Sequence, residues 1–187
     1  MKTPYNEIVN IASIGSQTNP ISLNEILRKA NDEQLTPAAQ NKERVLFLGI
    51  DVQQDFMDNG ALGVPGAHGD VERMTQFIYN NMDKITNIAV SIDTHTPHQI
   101  FHPCWWIDEN GNNPAPYTPI TLADLDSGKY RAVIYPRQSR DYVEHLEKDG
   151  KKTLCVWSYH CLQGTSGAAF ENQFANMIYF HSVAKKA

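Results

Sequence analysis

The sequence predicts an α/β protein built around a parallel sheet. Short apolar runs of the buried-strand type recur at "RVLFLGID" (44–51), "NIAVSID" (87–93) and "KKTLCVW" (151–157). Between them lie segments whose apolar residues recur at helical spacing. Strand, helix, strand in that order implies a right-handed parallel crossover.

Residues 1–43 are polar and rich in Asn and Gln, and read as an N-terminal extension packed on a main domain at 44–187. Within it, "SLNEILRKAND" from Ser22 predicts a helix, with Ser22 and Glu25 placed for a capping box. The segment from Asp70 to Ile85 predicts a second helix. Asp70 is its expected cap, and Val71, Met74, Ile78, Met82 and Ile85 form its apolar stripe. Residues 103–130, rich in Pro, Asn, Gly and Asp, read as a long loop. "RAVIYP" (131–136) is a candidate short strand, and "SRDYVEHLEKDG" predicts a helix closing at Gly150. A last helix is expected to open in "GTSGAAF", carrying Phe170, Phe174, Met177 and Ile178 on one face.

Composition excludes several classes. The 187 residues fit one domain, and 41% hydrophobic with 20% charged is the balance of an ordinary globular protein. Sixteen basic against 21 acidic residues give a net charge of −5, which argues against a nucleic-acid partner. No apolar run approaches the roughly 20 residues that span a bilayer, and "MKTPYNEIVN" lacks the apolar centre of a signal peptide. No membrane association and a cytoplasmic location are therefore expected. Three cysteines without metal-ribbon spacing argue against a disulfide framework.

Open α/β sheets bind ligands at the carboxyl ends of their strands. Asp51 ends the first apolar run, Asp93 ends the second, and His160 follows the third. The stretch "VSIDTHTPHQIFHPCWW" (90–106) also holds three of the chain's seven histidines within eight residues. In extended chain Asp93 and His95 point the same way. With His160 they would offer two imidazoles and one carboxylate, a donor set suited to Zn, Mn or Fe(II). The bland alternative is three loop residues making ordinary hydrogen bonds; convergence of three strand ends favours the metal. His98 and His102 are either a fourth ligand or support behind the ligands. Asp51 reads as a charged group with a purpose at a buried strand end, or as a turn cap. Gly164 to Gly167 read as an anion-holding helix start or as a plain tight turn.

"LGIDVQQDF" (48–56), "SIDTH" (91–95) and "WSYHCLQGTSGAAF" (157–170) together resemble the nicotinamidase/isochorismatase cysteine hydrolases. That family shows Asp-x-x-x-Asp-Phe at a strand end, a metal-binding Asp-x-His, and His-Cys-x-x-Gly-Thr-x-Gly, in this order. The metal-type ligands bring this chain closer to the nicotinamidase branch. The resemblance implies a parallel, doubly wound, three-layer sheet of six strands and hydrolysis of a small amide. It implies Asp51 as the base that takes a thiol proton, and Asp93, His95 and His160 as ligands of a divalent metal (Zn, Fe or Mn). Phe56 and Trp157 match aromatic positions flanking the substrate, though each also reads as a core aromatic. Asp55 matches a second Asp with a structural part.

The chain also departs from the pattern. The family nucleophile is a Cys in a Gly-x-x-Thr-Asp-x-Cys-Val-like stretch further along, and no such stretch occurs before Ala187. Cys104 beside the metal motif is the least unsuitable substitute; Cys155 lies in an apolar run, and Cys161 follows the ligand His160. Lys185 and Lys186 fall near the distance of the family's catalytic Lys but at a helix end. The expectation is therefore the N-terminal part of a longer hydrolase, its nucleophile beyond residue 187 and its sheet completed by a second copy or a complementing chain. The rival expectation is a non-catalytic metal-binding chain. A hydrolase using metal-bound hydroxide without Cys is a third. The long 103–150 segment leaves the identity of the amide open.

Overall fold

The computed structural model describes residues 1–187. In chain order the helices and strands are α1 (Leu23–Asn31), β1 (Leu46–Gly49), α2 (Ala67–Asn80), β2 (Asn87–Val90), β3 (Trp106–Asp108) and β4 (Pro119–Ile120). They continue with α3 (Leu122–Asp126), β5 (Tyr130–Ala132), α4 (Pro136–Lys148), β6 (Leu154–Cys155) and α5 (Asn172–Ala184). The architecture is mixed α/β with parallel strands, as the sequence predicts. The chain forms two compact units, one of Met1–Asp93 with Gly164–Ala187 and one of Thr94–Gln163. No helix is long and apolar enough to cross a membrane.

In the first unit β1 and β2 pair in parallel, Leu46 opposite Asn87 through Gly49 opposite Val90. Phe47, Ile88 and Val90 face a core filled by Val71 and Ile78 of α2 and by Phe174, Met177 and Phe180 of α5. Gly49 permits this packing, because a Cβ there would stand 2.9 Å from the Phe174 ring. Burying such side chains contributes on the order of 1.5–3 kcal/mol each. The N-terminal residues join the same core through Ile8, Val9, Ile26 and Ala30, and α1 packs against α5. The opposite face of β1 is bare: Leu46, Leu48 and Ile50 are 57–61% exposed.

Helix starts differ from the expectations. Ser22 makes no capping bond, and the Glu25 carboxylate pairs instead with Lys29 at 2.7 Å, which also pairs with Glu7. Helix α2 begins a turn early, after Gly66 in the left-handed region. Asp58 caps it instead of Asp70, accepting the Gly66 and His68 N–H groups at 2.6 and 2.8 Å. Those bonds hold the Asp58 carboxyl below its ordinary range. The "GTSGAAF" stretch opens no α-helix. It makes a single 3-10 turn at Ser166–Ala168, and α5 starts at Asn172 under the buried Glu171, whose carboxylate accepts the Gln173 and Phe174 N–H groups.

The second unit corrects two further expectations. Residues 103–130 are not one loop; they hold β3, β4, α3 and the start of β5. Strands of two or three residues are too short for periodicity to reveal. The 151–157 run forms a strand at Leu154–Cys155, and its partner is Pro119–Ile120, antiparallel. Strands β3 and β5 pair antiparallel, Trp106 opposite Ala132. Trp106, Ile120, Val143, Leu154 and Val156 make the core of this unit. The buried indole N–H of Trp106 donates to the Ile100 carbonyl. Helix α4 has Pro136 in its first turn after Tyr135 in left-handed geometry, and it stops at Lys148, two residues before Gly150.

Two buried basic side chains brace the first unit. Lys185 is fully buried, donating to the Asp83 carbonyl at 2.7 Å and to Asn41 Oδ1, with the Asp83 carboxylate at 3.3 Å. Its place in the chain thus serves the core. His181 donates from Nε2 to the Ile85 carbonyl at 3.0 Å, and burial pushes its imidazole below the ordinary value. A lowered imidazole value means that the unfolded chain binds the proton more readily. Stability from this group is complete above about pH 6.5 and is lost as pH falls toward the folded value. Urea midpoints should therefore decline from pH 7.5 to pH 5.5. His181→Gln, which keeps an N–H for Ile85, should flatten that slope; an unchanged slope would contradict the assignment.

Candidate metal centre and acidic strand end

Asp51 follows β1 with φ at +52°, a left-handed turn that swings the chain off the strand. The β1–β2 ladder runs one bond further, from the Ser91 N–H to the Gly49 carbonyl at 2.9 Å. Ser91 therefore stands beside Asp51. Its hydroxyl donates to Asp51 Oδ1 at 2.5 Å and accepts the Asp51 N–H at 3.1 Å. The carboxylate lines a hollow of about 420 Å³ together with Phe56, Met57, Val64, Asp70 and Met74. A half-buried carboxylate held in place at the wall of an apolar hollow is suited to accept a proton.

Asp93, His95 and His160 each offer one ligand atom, and these atoms all lie within 4.8 Å of one another. Local pairing brings the two histidines together. His95 N–H donates to the Cys161 carbonyl and Gln163 N–H to the His95 carbonyl, both at 2.9 Å, so 95 and 161–163 run as a short parallel bridge. The His95 and His160 rings are 4.8 Å apart. His160 Nδ1–H donates to the Ser158 carbonyl at 2.7 Å, so Nε2 would be the nitrogen that ligates an ion. The donor set is that of a hard to borderline divalent ion, so the residues fit the metal that the motif implies.

The remaining histidines of the cluster separate. His98 is exposed. His102 is fully buried, donates from Nδ1 to the Pro97 carbonyl at 3.0 Å, and has no hydrogen-bond partner at Nε2. Its ring lies 5.8 Å from that of His95 and 6.2 Å from that of His160. Burial pushes its imidazole below the ordinary value. The buried His102 ring thus packs beside His95 and His160.

Phe56 shares the hollow of Asp51. Trp157 lies in the second unit, 37% exposed and edge-on to Tyr117 at 5.9 Å. Cys104 donates its thiol to the Pro97 carbonyl at 3.2 Å and its N–H to the Tyr159 hydroxyl at 3.1 Å. Burial pushes the Cys155 thiol up, and Cys161 is fully buried.

Sequence reasoning missed Gln53. This side chain is fully buried, accepts the Asp93 N–H at 2.7 Å, and donates to the Asp93 carbonyl at 2.9 Å and the Ala168 carbonyl at 2.8 Å. A Gln amid the run of "DVQQDF" carries no pattern that marks it as such.

No protein-family model and no curated protein matches the chain. Solved structures similar to it are nicotinamidases. The yeast nicotinamidase Pnc1p bound to the inhibitor nicotinaldehyde aligns at 18% identity and a TM-score of 0.46, covering 73% of this chain and 52% of that one. A nicotinamidase/pyrazinamidase of Acinetobacter baumanii aligns at 20% identity and 0.42, covering 72% of this chain and 47% of that one. The chain thus spans about half the length of those structures.

Gly167 shows how tightly the turn behind the site is packed. A Cβ there would fall 2.0 Å from Asp55 Oδ2. Gly167→Ala must displace the Asp55 carboxylate, and is expected to lower stability by about 1–3 kcal/mol in urea titration. A variant as stable as the parent would show that Asp55 moves aside freely.

Proposed function

We propose that this chain supplies the metal-holding and proton-accepting half of a site that hydrolyses a small amide, nicotinamide-like in size. The observation that carries the reading is the convergence of the Asp93, His95 and His160 ligand atoms within 4.8 Å. The motif triplet around it supports the reaction class.

In this reading Asp51 takes the thiol proton of a Cys nucleophile. The thiolate attacks the amide carbonyl, ammonia leaves with the proton returned from Asp51, and water then hydrolyses the thioester to the acid. The Asp51 oxygen not held by Ser91 is the one available for that proton. Phe56 lines the same hollow and offers an apolar wall for a planar substrate. Asp93, His95 and His160 hold a divalent ion (Zn, Fe or Mn), with His102 behind them. When bound, the ion supplies positive charge to orient a ring nitrogen or a water of the substrate. Cys104, Cys155 and Cys161 do not stand in the family's nucleophile stretch. The nucleophile in this reading belongs to chain outside residues 1–187.

Metal analysis of the purified chain should find about one divalent ion per chain. His95→Ala and His160→Ala should abolish it, and the exposed His98→Ala should not. In the whole protein, ammonia release from nicotinamide and related small amides should fall at least about a hundredfold in Asp51→Asn and stop with iodoacetamide. Metal bound in full with no amide turned over would favour a non-catalytic metal-binding chain. Turnover that survives iodoacetamide would favour attack by hydroxide.

A further inference from the structure

We propose that Gln53 is a positioning residue that aims the Asp93 carboxylate at the metal. The inference rests on the metal reading above and deepens it.

A buried Gln needs partners for two N–H hydrogens and a carbonyl oxygen, and any nearby backbone groups satisfy it. Here the partners are specific. Oε1 accepts the Asp93 N–H at 2.7 Å while Nε2 donates to the carbonyl of that same residue at 2.9 Å. The two bonded groups flank the Asp93 Cα, so together they hold the residue as a neighbouring strand would. The direction of its Cβ, and with it the reach of the carboxylate, follows from that hold. The second amide hydrogen goes to the Ala168 carbonyl at 2.8 Å. Turning the amide over would set Oε1 against two carbonyl oxygens, so only one orientation fits.

The anchor is itself held. Gln53 N–H donates to the Asp51 carbonyl at 2.8 Å, and Gln53 bridges antiparallel to Phe170. Gln54 N–H donates to the Ala169 carbonyl at 2.9 Å on the adjoining residue. Asp51, Gln53, Asp93 and residues 168–170 thus form one braced group inside the first unit. Without the amide, Asp93 loses these two bonds, and its carboxylate must be ordered each time an ion binds.

The test measures Zn²⁺ affinity by chelator competition and the visible spectrum of the Co²⁺-loaded chain, in the parent, Gln53→Ala and Gln53→Glu. Gln53→Glu keeps the size but turns a donor into an acceptor. Phe180→Leu, in the core of the first unit, serves as a control for general loss of stability. Both Gln53 variants should bind Zn²⁺ about 10–100-fold more weakly and alter the Co²⁺ bands. The control should leave affinity and bands as in the parent. Variants that bind Zn²⁺ within twofold of the parent, with unchanged bands, overturn the proposal, as does a loss matched by Phe180→Leu. A parent that binds no ion overturns the metal reading itself, and this proposal with it.

Discussion

The register of the two parallel strands is the constraint from which the acidic side of the site follows. Leu46 pairs with Asn87 and Gly49 with Val90, and the last ladder bond, from Ser91 to Gly49, sets Ser91 beside Asp51. A slip of one residue would turn Phe47, Ile88 and Val90 away from α2 and α5 and would expose the core face. Packing therefore selects the register, and the register delivers two acidic residues at neighbouring strand ends. Gly49 takes part by leaving room for Phe174.

The imidazole side depends on a different device. His160 and His102 each give Nδ1–H to a backbone carbonyl, of Ser158 and Pro97 respectively. That choice of acceptor fixes which way each ring is turned. His95 is carried into place by backbone bonds to 161 and 163, and its ring packs against Phe101 and His160. Strand pairing orders the carboxylates, and carbonyl acceptors order the imidazoles. The first joins residues some 40 positions apart, whereas the carbonyl acceptors of His160 and His102 lie two and five residues away.

Much of this was legible in the residues. The apolar runs of β1 and β2 and the spacing of α2, α4 and α5 mark those elements, because each buries a face wide enough to leave a period. The meeting of Asp93, His95 and His160 was foreshadowed by their places after apolar runs. What escaped was set by side-chain and strand partners that no period in the sequence marks. Asp58 reaches α2 from outside the helix, Lys29 takes Glu25 from Ser22, and Pro119–Ile120 pairs with Leu154–Cys155 across 34 positions of chain. Gln53 escaped for the same reason: its partners lie 40 and 115 residues away. The bare face of β1 was foreshadowed by the run "RVLFLGI", apolar at every second position on the exposed side as well.

The central claim is that one carboxylate and two imidazoles from this chain share a single divalent ion. X-ray absorption spectroscopy of the zinc-loaded protein tests it most directly. The account predicts nitrogen and oxygen neighbours at about 2.0–2.1 Å with the outer scattering of two imidazole rings. A sulfur neighbour at about 2.3 Å, or a spectrum without imidazole scattering, would contradict it.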